Sequence, residues 1–198
     1  MRIAVADYGA GNVRSLCAAL ERAGGRPAVT RDAAEVFAAP LAVVAGVGHL
    51  GAAARELEAQ GLDEALRERA AGGRPLLGIC VGMQLLFDDS EEGGRGLGVL
   101  RGGVRRLHAP RVPHMGWNTL TVSGGALLDG LDGSDVYFAH SYACEPADPV
   151  TVACTEHGGE VVAAVECGAL AGVQFHPERS GPVGGAFLRR VLAWSRSA

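Results

Sequence analysis

Arg74-Pro75-Leu76-Leu77-Gly78-Ile79-Cys80-Val81-Gly82-Met83-Gln84-Leu85-Leu86-Phe87 is the stretch that orders the rest of the chain. An apolar run enters a cysteine flanked at both sides by glycine, and a helix-like run over 83–87 leaves it. This is a G-x-C-x-G form of a nucleophile elbow, the sharp strand-to-helix turn that lifts a nucleophile above a sheet. Such a turn strains its central residue and needs small neighbours. It exposes the sulfur, and the N-terminus of the following helix favours the thiolate, the reactive form. A buried structural cysteine is the competing reading, since a free cysteine is commonly a core residue.

Outward from the elbow, the first half of the chain alternates strand-like and helix-like segments. Strands are expected at 3–7, 28–30, 41–45 and 74–79. A helix is expected over 13–23, with Asn12 as its N-cap and Gly24-Gly25 as its stop. A longer helical region covers 50–71 and breaks at Gly61. Residues 41–45 are apolar throughout, as befits a parallel strand covered on both faces. This rhythm predicts an α/β fold with a doubly wound, mostly parallel sheet flanked by helices. The second half carries short strand candidates at 99–107, 118–122, 135–139, 150–155, 161–166 and 171–175. These predict antiparallel hairpins added to the sheet. A helix over 182–195 closes the chain, and the glycine-rich stretch 91–98 reads as a turn. With 198 residues and no dividing linker, one domain over 1–198 is expected.

Composition narrows the chemistry. The net charge is −4 and 48% of residues are hydrophobic, so nothing points to nucleic acid or an anionic membrane. A strand-like run begins at Ile3, leaving no room for a signal peptide, and no apolar run reaches membrane-spanning length. The cytoplasm is the expected setting. The five cysteines, at 17, 80, 144, 154 and 167, form no C-x-x-C and no zinc-finger spacing with histidine. An odd count argues against a disulfide framework, and packing is the reading for all except Cys80. All 18 basic residues are arginine. Schiff-base and Walker-A lysine chemistry are therefore excluded within this chain. No metal and no cofactor is expected.

A cysteine nucleophile needs a base, and the base needs an orienting group. Gln174-Phe175-His176-Pro177-Glu178 offers both, because His176 follows a strand and Glu178 lies two residues on. A carboxylate on one imidazole nitrogen fixes the tautomer and leaves the other for Cys80. Taken alone, His-Pro-Glu reads equally as a solvated loop. Attack on a carbonyl carbon also needs an oxyanion hole. The Val81 N–H is one candidate donor, and the Gly46-Val47-Gly48 segment at the end of 41–45 is the other. Both lie beyond the carboxyl ends of parallel strands, where ligands bind in such sheets.

These residues carry a resemblance. The elbow, the Gly46-Val47-Gly48 loop and the His176-Pro177-Glu178 tail, in that order, resemble class I (triad) glutamine amidotransferases. Four further stretches resemble, within them, the glutaminase subunits of imidazole glycerol phosphate synthases. They are 7–12 (Asp-Tyr-Gly-Ala-Gly-Asn), 113–118 (Pro-His-Met-Gly-Trp-Asn), 137–142 (Tyr-Phe-Ala-His-Ser-Tyr) and 172–180 (Gly-Val-Gln-Phe-His-Pro-Glu-Arg-Ser). The resemblance runs from about residue 2 to 193.

It implies the amidotransferase α/β fold, with Cys80 attacking the glutamine side-chain amide, His176 shuttling the proton and Glu178 orienting it. Gln84, His140, Ser141 and Tyr142 are expected beside the substrate, with Gly46, Val47, Gly48 and Val81 at the oxyanion. Ammonia would pass to a separate (β/α)8-barrel cyclase in a heterodimer, contacted through Asn12, Trp117, Tyr137 and Arg179. The cyclase would make imidazole glycerol phosphate and aminoimidazole carboxamide ribotide, in histidine biosynthesis.

Three positions depart from the family pattern. Ala45 stands where a proline is usual and leaves the oxyanion loop less constrained. Val81 replaces leucine, and Arg179 replaces lysine. Of the remaining histidines, His49 lies beside site segments, and His114 reads as structural or interfacial. His108 and His157 read as surface residues. The acidic cluster 88–92 reads as a solvated helix end. Alternatives remain: another triad glutaminase such as that of pyridoxal phosphate synthesis, an inactive regulatory subunit of the same fold, or a cysteine peptidase.

Overall fold

The computed structural model describes residues 1–9 and 13–197. Asn12, expected as a helix cap and as a partner contact, lies outside the described residues. In chain order the elements are β1 (Arg2–Ala6), α1 (Val13–Arg22), β2 (Arg26–Thr30), α2 (Ala33–Ala38), β3 (Leu41–Gly46), α3 (Leu50–Ala59), α4 (Leu62–Ala71), β4 (Leu76–Cys80) and α5 (Val81–Gln84). There follow β5 (Asp89–Ser90), β6 (Gly102–Arg106), β7 (His114–Thr119), β8 (Thr121–Val122), β9 (Asp135–His140), β10 (Tyr142–Pro146), β11 (Thr151–Glu156), β12 (Glu160–Cys167) and β13 (Leu170–Val173). A 3-10 turn (Pro177–Arg179) and α6 (Gly181–Trp194) close the chain.

The central sheet has the order β2-β1-β3-β4-β13-β12-β11-β8. Its first five strands are parallel, and the last three add antiparallel pairs. β3 and β4 are buried at every residue, as strands covered on both faces must be. α1 packs with α6, whereas α3 and α2 both pack on α4. The doubly wound, mostly parallel architecture is therefore as the sequence predicted.

The second half differs from the expectation in its sheet pairing and its strand bounds. Not every hairpin joins the main sheet: β10-β6-β5 and β7-β9 form separate small sheets. The strand expected at 118–122 is two strands, with β7 beginning at His114 and pairing His114 with His140. The expected helix over 83–87 is also shorter. α5 is a single turn ending at Gln84. The carbonyls of Leu85, Leu86 and Phe87 accept instead from the N–H groups of residues 97–100, so the loop replaces the next helical turn.

α2 was not foreseen. Asp32 caps it, accepting from the N–H of Ala34 at 2.8 Å and of Glu35 at 3.3 Å. Behind it lies Arg69, fully buried in the last turn of α4. Its guanidinium donates Nε and Nη2 to the Pro75 carbonyl at 2.9 and 2.7 Å. Nη1 donates to the Val36 and Phe37 carbonyls at 3.0 and 2.8 Å. A lysine could not make this fork.

Candidate active site

The site lies at the carboxyl ends of β3, β4 and β13. Cys80 ends β4 with φ 55° and ψ −112°, a backbone conformation that L side chains seldom adopt. Among the described residues it is the one non-glycine at positive φ. Such strain costs on the order of 1–3 kcal/mol and persists only where surrounding structure holds it. Here the two elbow glycines permit the turn. A side chain at Gly82 would drive into the Val44 carbonyl of β3, and one at Gly78 into the backbone of Gly82 and Met83. The close approach of α5 to β3 and β4 therefore needs glycine at both positions.

His176 and Glu178 sit just past β13. Nδ1 of His176 meets Glu178 Oε1 at 2.9 Å, and both side chains are largely buried. Burial alone would lower the imidazole pKa. Cys80 and then Glu178 outweigh it and hold His176 up to about 10. Nε2 of His176 is buried and makes no hydrogen bond of ordinary geometry, so it is free for the sulfur or a substrate. Burial pushes the thiols of Cys17, Cys144 and Cys154 up, which keeps them unreactive. Cys167 is exposed on β12.

A pocket of about 380 Å³ opens beside Cys80. Cys80, Val81, Gln84, Gly48, His140, Ser141 and Tyr142 all line it. Gly46 and Val47 face a different space, a cleft of about 20 Å³ shared with His176 and Glu178. Gly46 pairs with Cys80 across β3 and β4. The missing proline at 45 has a substitute restraint, because the buried Tyr8 hydroxyl donates to the Ala45 carbonyl at 3.0 Å. Gly48 carries φ +98°, so the loop turns through a glycine conformation. A larger cavity, about 430 Å³, lies among α3, α4 and residues 94–97, and is lined by none of Cys80, His176 and Glu178.

His140 shares the pocket but is built differently. Its Nδ1–H donates to the Tyr142 carbonyl at 2.8 Å, so its Nε2 accepts from His114 Nδ1 at 3.0 Å. His114 Nε2 in turn accepts from Asn118 Nδ2 at 3.1 Å, and Asn118 also donates to the Glu156 carbonyl. Burial, and then His157, lower His114 to about 4; burial dominates for His140, held at about 3. Both rings are neutral. His114 stacks between Phe138 and His157, with ring centroids 4.5 and 4.0 Å apart. His157 is thus no free surface residue: its ring covers His114 and it donates Nε2–H to the Arg111 carbonyl at 2.7 Å. His108 is exposed as expected.

Two contributors were missed in the sequence. Glu92, read as part of a solvated helix end, lines the pocket with a side chain only 15% exposed. It accepts the Leu50 N–H at 2.6 Å, and His49 Nδ1 accepts the Gly51 N–H at 3.0 Å, so both cap α3 directly behind the Gly46–Gly48 loop. Nothing local in an acidic cluster signals that. Gln174 is the other; its place two residues before His176 at a buried strand end was a usable signal. On the outer surface, Trp117 is 59% exposed and meets Tyr137 edge-on at 6.1 Å, and Arg179 lies 4.1 Å over the Tyr137 ring. Three of the four expected partner contacts thus form one cluster.

Comparison with known proteins gives the family. The family described as glutamine amidotransferase class-I matches residues 4–193. The chain is 45% identical to imidazole glycerol phosphate synthase subunit HisH of Rhodopirellula baltica, covering 90% of each chain. It is 48% identical to that of Moorella thermoacetica, over 90% of this chain and 88% of the other. A crystal structure of a glutamine amidotransferase aligns with TM-score 0.79 at 21% identity, covering 98% of both chains, and PurLQS from Thermotoga maritima with 0.75 at 22%, covering 99% and 97%. A G-x-C-x-G elbow, a His-Glu pair at the adjacent strand end and these relatives together place the chain in the class-I glutamine amidotransferase family, among the HisH subunits of imidazole glycerol phosphate synthase.

Proposed function

We propose that the chain is the glutaminase subunit of an imidazole glycerol phosphate synthase and hydrolyses glutamine through Cys80, His176 and Glu178. The observation that carries this reading is the strained Cys80 beside a buried His176–Glu178 pair whose second imidazole nitrogen makes no hydrogen bond of ordinary geometry. In the proposed first step the Cys80 thiolate adds to the side-chain amide carbon. The oxyanion is met by the Val81 N–H, the first N–H past the nucleophile, and by an N–H of the Gly46-Val47-Gly48 loop. The His176 imidazolium gives its proton to the leaving nitrogen, ammonia departs, and a glutamyl thioester remains. Water then adds to the thioester with His176 taking its proton, and glutamate leaves as the thiolate returns. Glu178 holds Nδ1–H throughout.

The pocket suits the rest of glutamine. Glu92 offers a carboxylate for the α-ammonium group, with Gln84, Ser141 and Tyr142 beside it. The relatives' name, a synthase subunit, supports a partner that consumes the ammonia. The proposed partner is the (β/α)8-barrel cyclase, in a heterodimer docked on the Trp117, Tyr137 and Arg179 cluster. The product would be imidazole glycerol phosphate, for histidine biosynthesis. No helix among the described residues is long and apolar enough to cross a membrane, and the proposed setting is the cytoplasm.

The test is Cys80→Ser assayed in complex with the cyclase. Glutamine-dependent synthesis is expected to fall by about a thousandfold or more, while synthesis from added ammonium salt persists. Retention of glutamine-dependent synthesis would overturn the reading.

A further inference from the structure

Gln174 lies fully buried at the carboxyl end of β13, against the sulfur of the elbow. Its Nε2 is 3.6 Å from Cys80 Sγ, and its Oε1 is 3.1 Å from Gln84 Nε2. A third group fixes which end of the amide faces the sulfur. Gln84 Nε2 also meets the Tyr142 carbonyl at 2.9 Å, and a carbonyl only accepts. Gln84 therefore presents its NH2 there, and the second hydrogen of that NH2 reaches Gln174. Gln174 must meet it with oxygen, which turns its own NH2 toward Cys80. The Tyr142 carbonyl also accepts from His140 Nδ1, so both of its lone pairs are engaged.

We propose that Gln174 is a catalytic residue that donates an N–H to the Cys80 sulfur and stabilises it as thiolate. This rests on the assignment of Cys80 as nucleophile. A thiol is a weak acceptor, whereas a thiolate is an anion to which an N–H bond is charge-assisted. The donor therefore favours transfer of the thiol proton to His176 before attack. It acts again when the thioester collapses and sulfur leaves as an anion. α5 is one turn long and contributes a correspondingly small dipole, so discrete donors must supply most of the stabilisation.

The test is the pH dependence of iodoacetamide labelling of the full chain, read by mass spectrometry on the peptide containing Cys80. Gln174→Met keeps length and removes the donor. Gln174→Glu keeps shape and the acceptor for Gln84 but turns a carboxylate oxygen on the sulfur. The half-maximal labelling pH is expected to rise by roughly one unit or more in Gln174→Met, and further in Gln174→Glu. If the buried carboxylate prevents folding, the methionine variant carries the test. A merely structural role would change the labelling rate without moving its midpoint. Coincident midpoints for the unaltered chain and folded Gln174→Met overturn the inference alone. Failure of the unaltered chain to label at Cys80 overturns the nucleophile assignment, and the inference with it.

Discussion

His176 and His140 are both buried, both lie at or just past a strand end, and stand close enough to influence each other electrostatically. Yet one is held protonated up to about pH 10 and the other is neutral down to about pH 3. Burial penalises the cation equally in kind for both. What differs is the company on the ring nitrogens. His176 has a carboxylate on one side and the sulfur on the other. His140 has a carbonyl that accepts its proton on one side and an imidazole that donates on the other. A polar chain that begins at a carbonyl and ends in amide donors has no place for an extra proton. The same side chain is thus held as a cation or as a neutral strut according to two neighbours each.

The largest test of this contrast is His176→Ala, which removes the proposed proton carrier. Glutamine hydrolysis in complex with the cyclase is expected to fall by about a thousandfold or more. Combined with Cys80→Ser it should be hardly worse than either alone, because triad members act as a unit. Additive losses would break the assignment, and so would a larger loss in His140→Ala than in His176→Ala.

Glu178→Gln sharpens the contrast by giving His176 a neutral partner like that of His140. An amide oxygen still accepts from Nδ1–H, so the loss in kcat/KM is expected to be only about ten- to a hundredfold. Removing the carboxylate removes one of the two influences that raise the imidazole. The imidazolium then loses its proton at lower pH, and the alkaline limb of the pH–rate profile should move down. An unmoved limb would show that Glu178 orients the ring without charging it.

The smallest effect is expected from His114→Phe. The aromatic stack between Phe138 and His157 survives, but His140 Nε2 and an Asn118 N–H lose their partner. The cost is about 1–3 kcal/mol, read by urea unfolding. The pH dependence carries a sign. His114 and His140 titrate lower in the folded chain than the ordinary value of about 6.5. The unfolded chain therefore binds more protons as pH falls below 6.5. The stability these rings contribute is fully present above about pH 6.5 and declines toward their folded values of about 4 and about 3. Removing His114 should flatten that decline. A steeper acid decline in the variant would contradict the neutral chain.

The parallel half of the fold was legible because its signals are local. β3 and β4 are apolar at nearly every position, and Gly78 and Gly82 bracket Cys80 at fixed spacing. The His176–Glu178 pair was legible for the same reason, since both residues sit on one turn. What escaped depends on distant partners. α2 is six residues long and too short for a helical period, although Asp32 marked its start. Glu92 is defined by the Leu50 N–H, 42 residues away. His157 looked like a surface residue because it lies in a turn and the ring it covers, His114, belongs to the distant strand β7. The shortening of α5 followed from the chain at 97–100 reclaiming the carbonyls of residues 85–87, which no helical propensity could report.

Arg69 bears on how this molecule comes apart. Its guanidinium is tied to three carbonyls, two at the end of α2 and one at Pro75, immediately before the elbow strand. A buried cation with some of those partners removed would be far costlier than one with all or none of them. That corner therefore has no stable half-open form. Fluctuations that release α2 must release the end of α4 and the lead-in to β4 in the same event, and amide hydrogens in all three segments should exchange with solvent as a single cooperative unit.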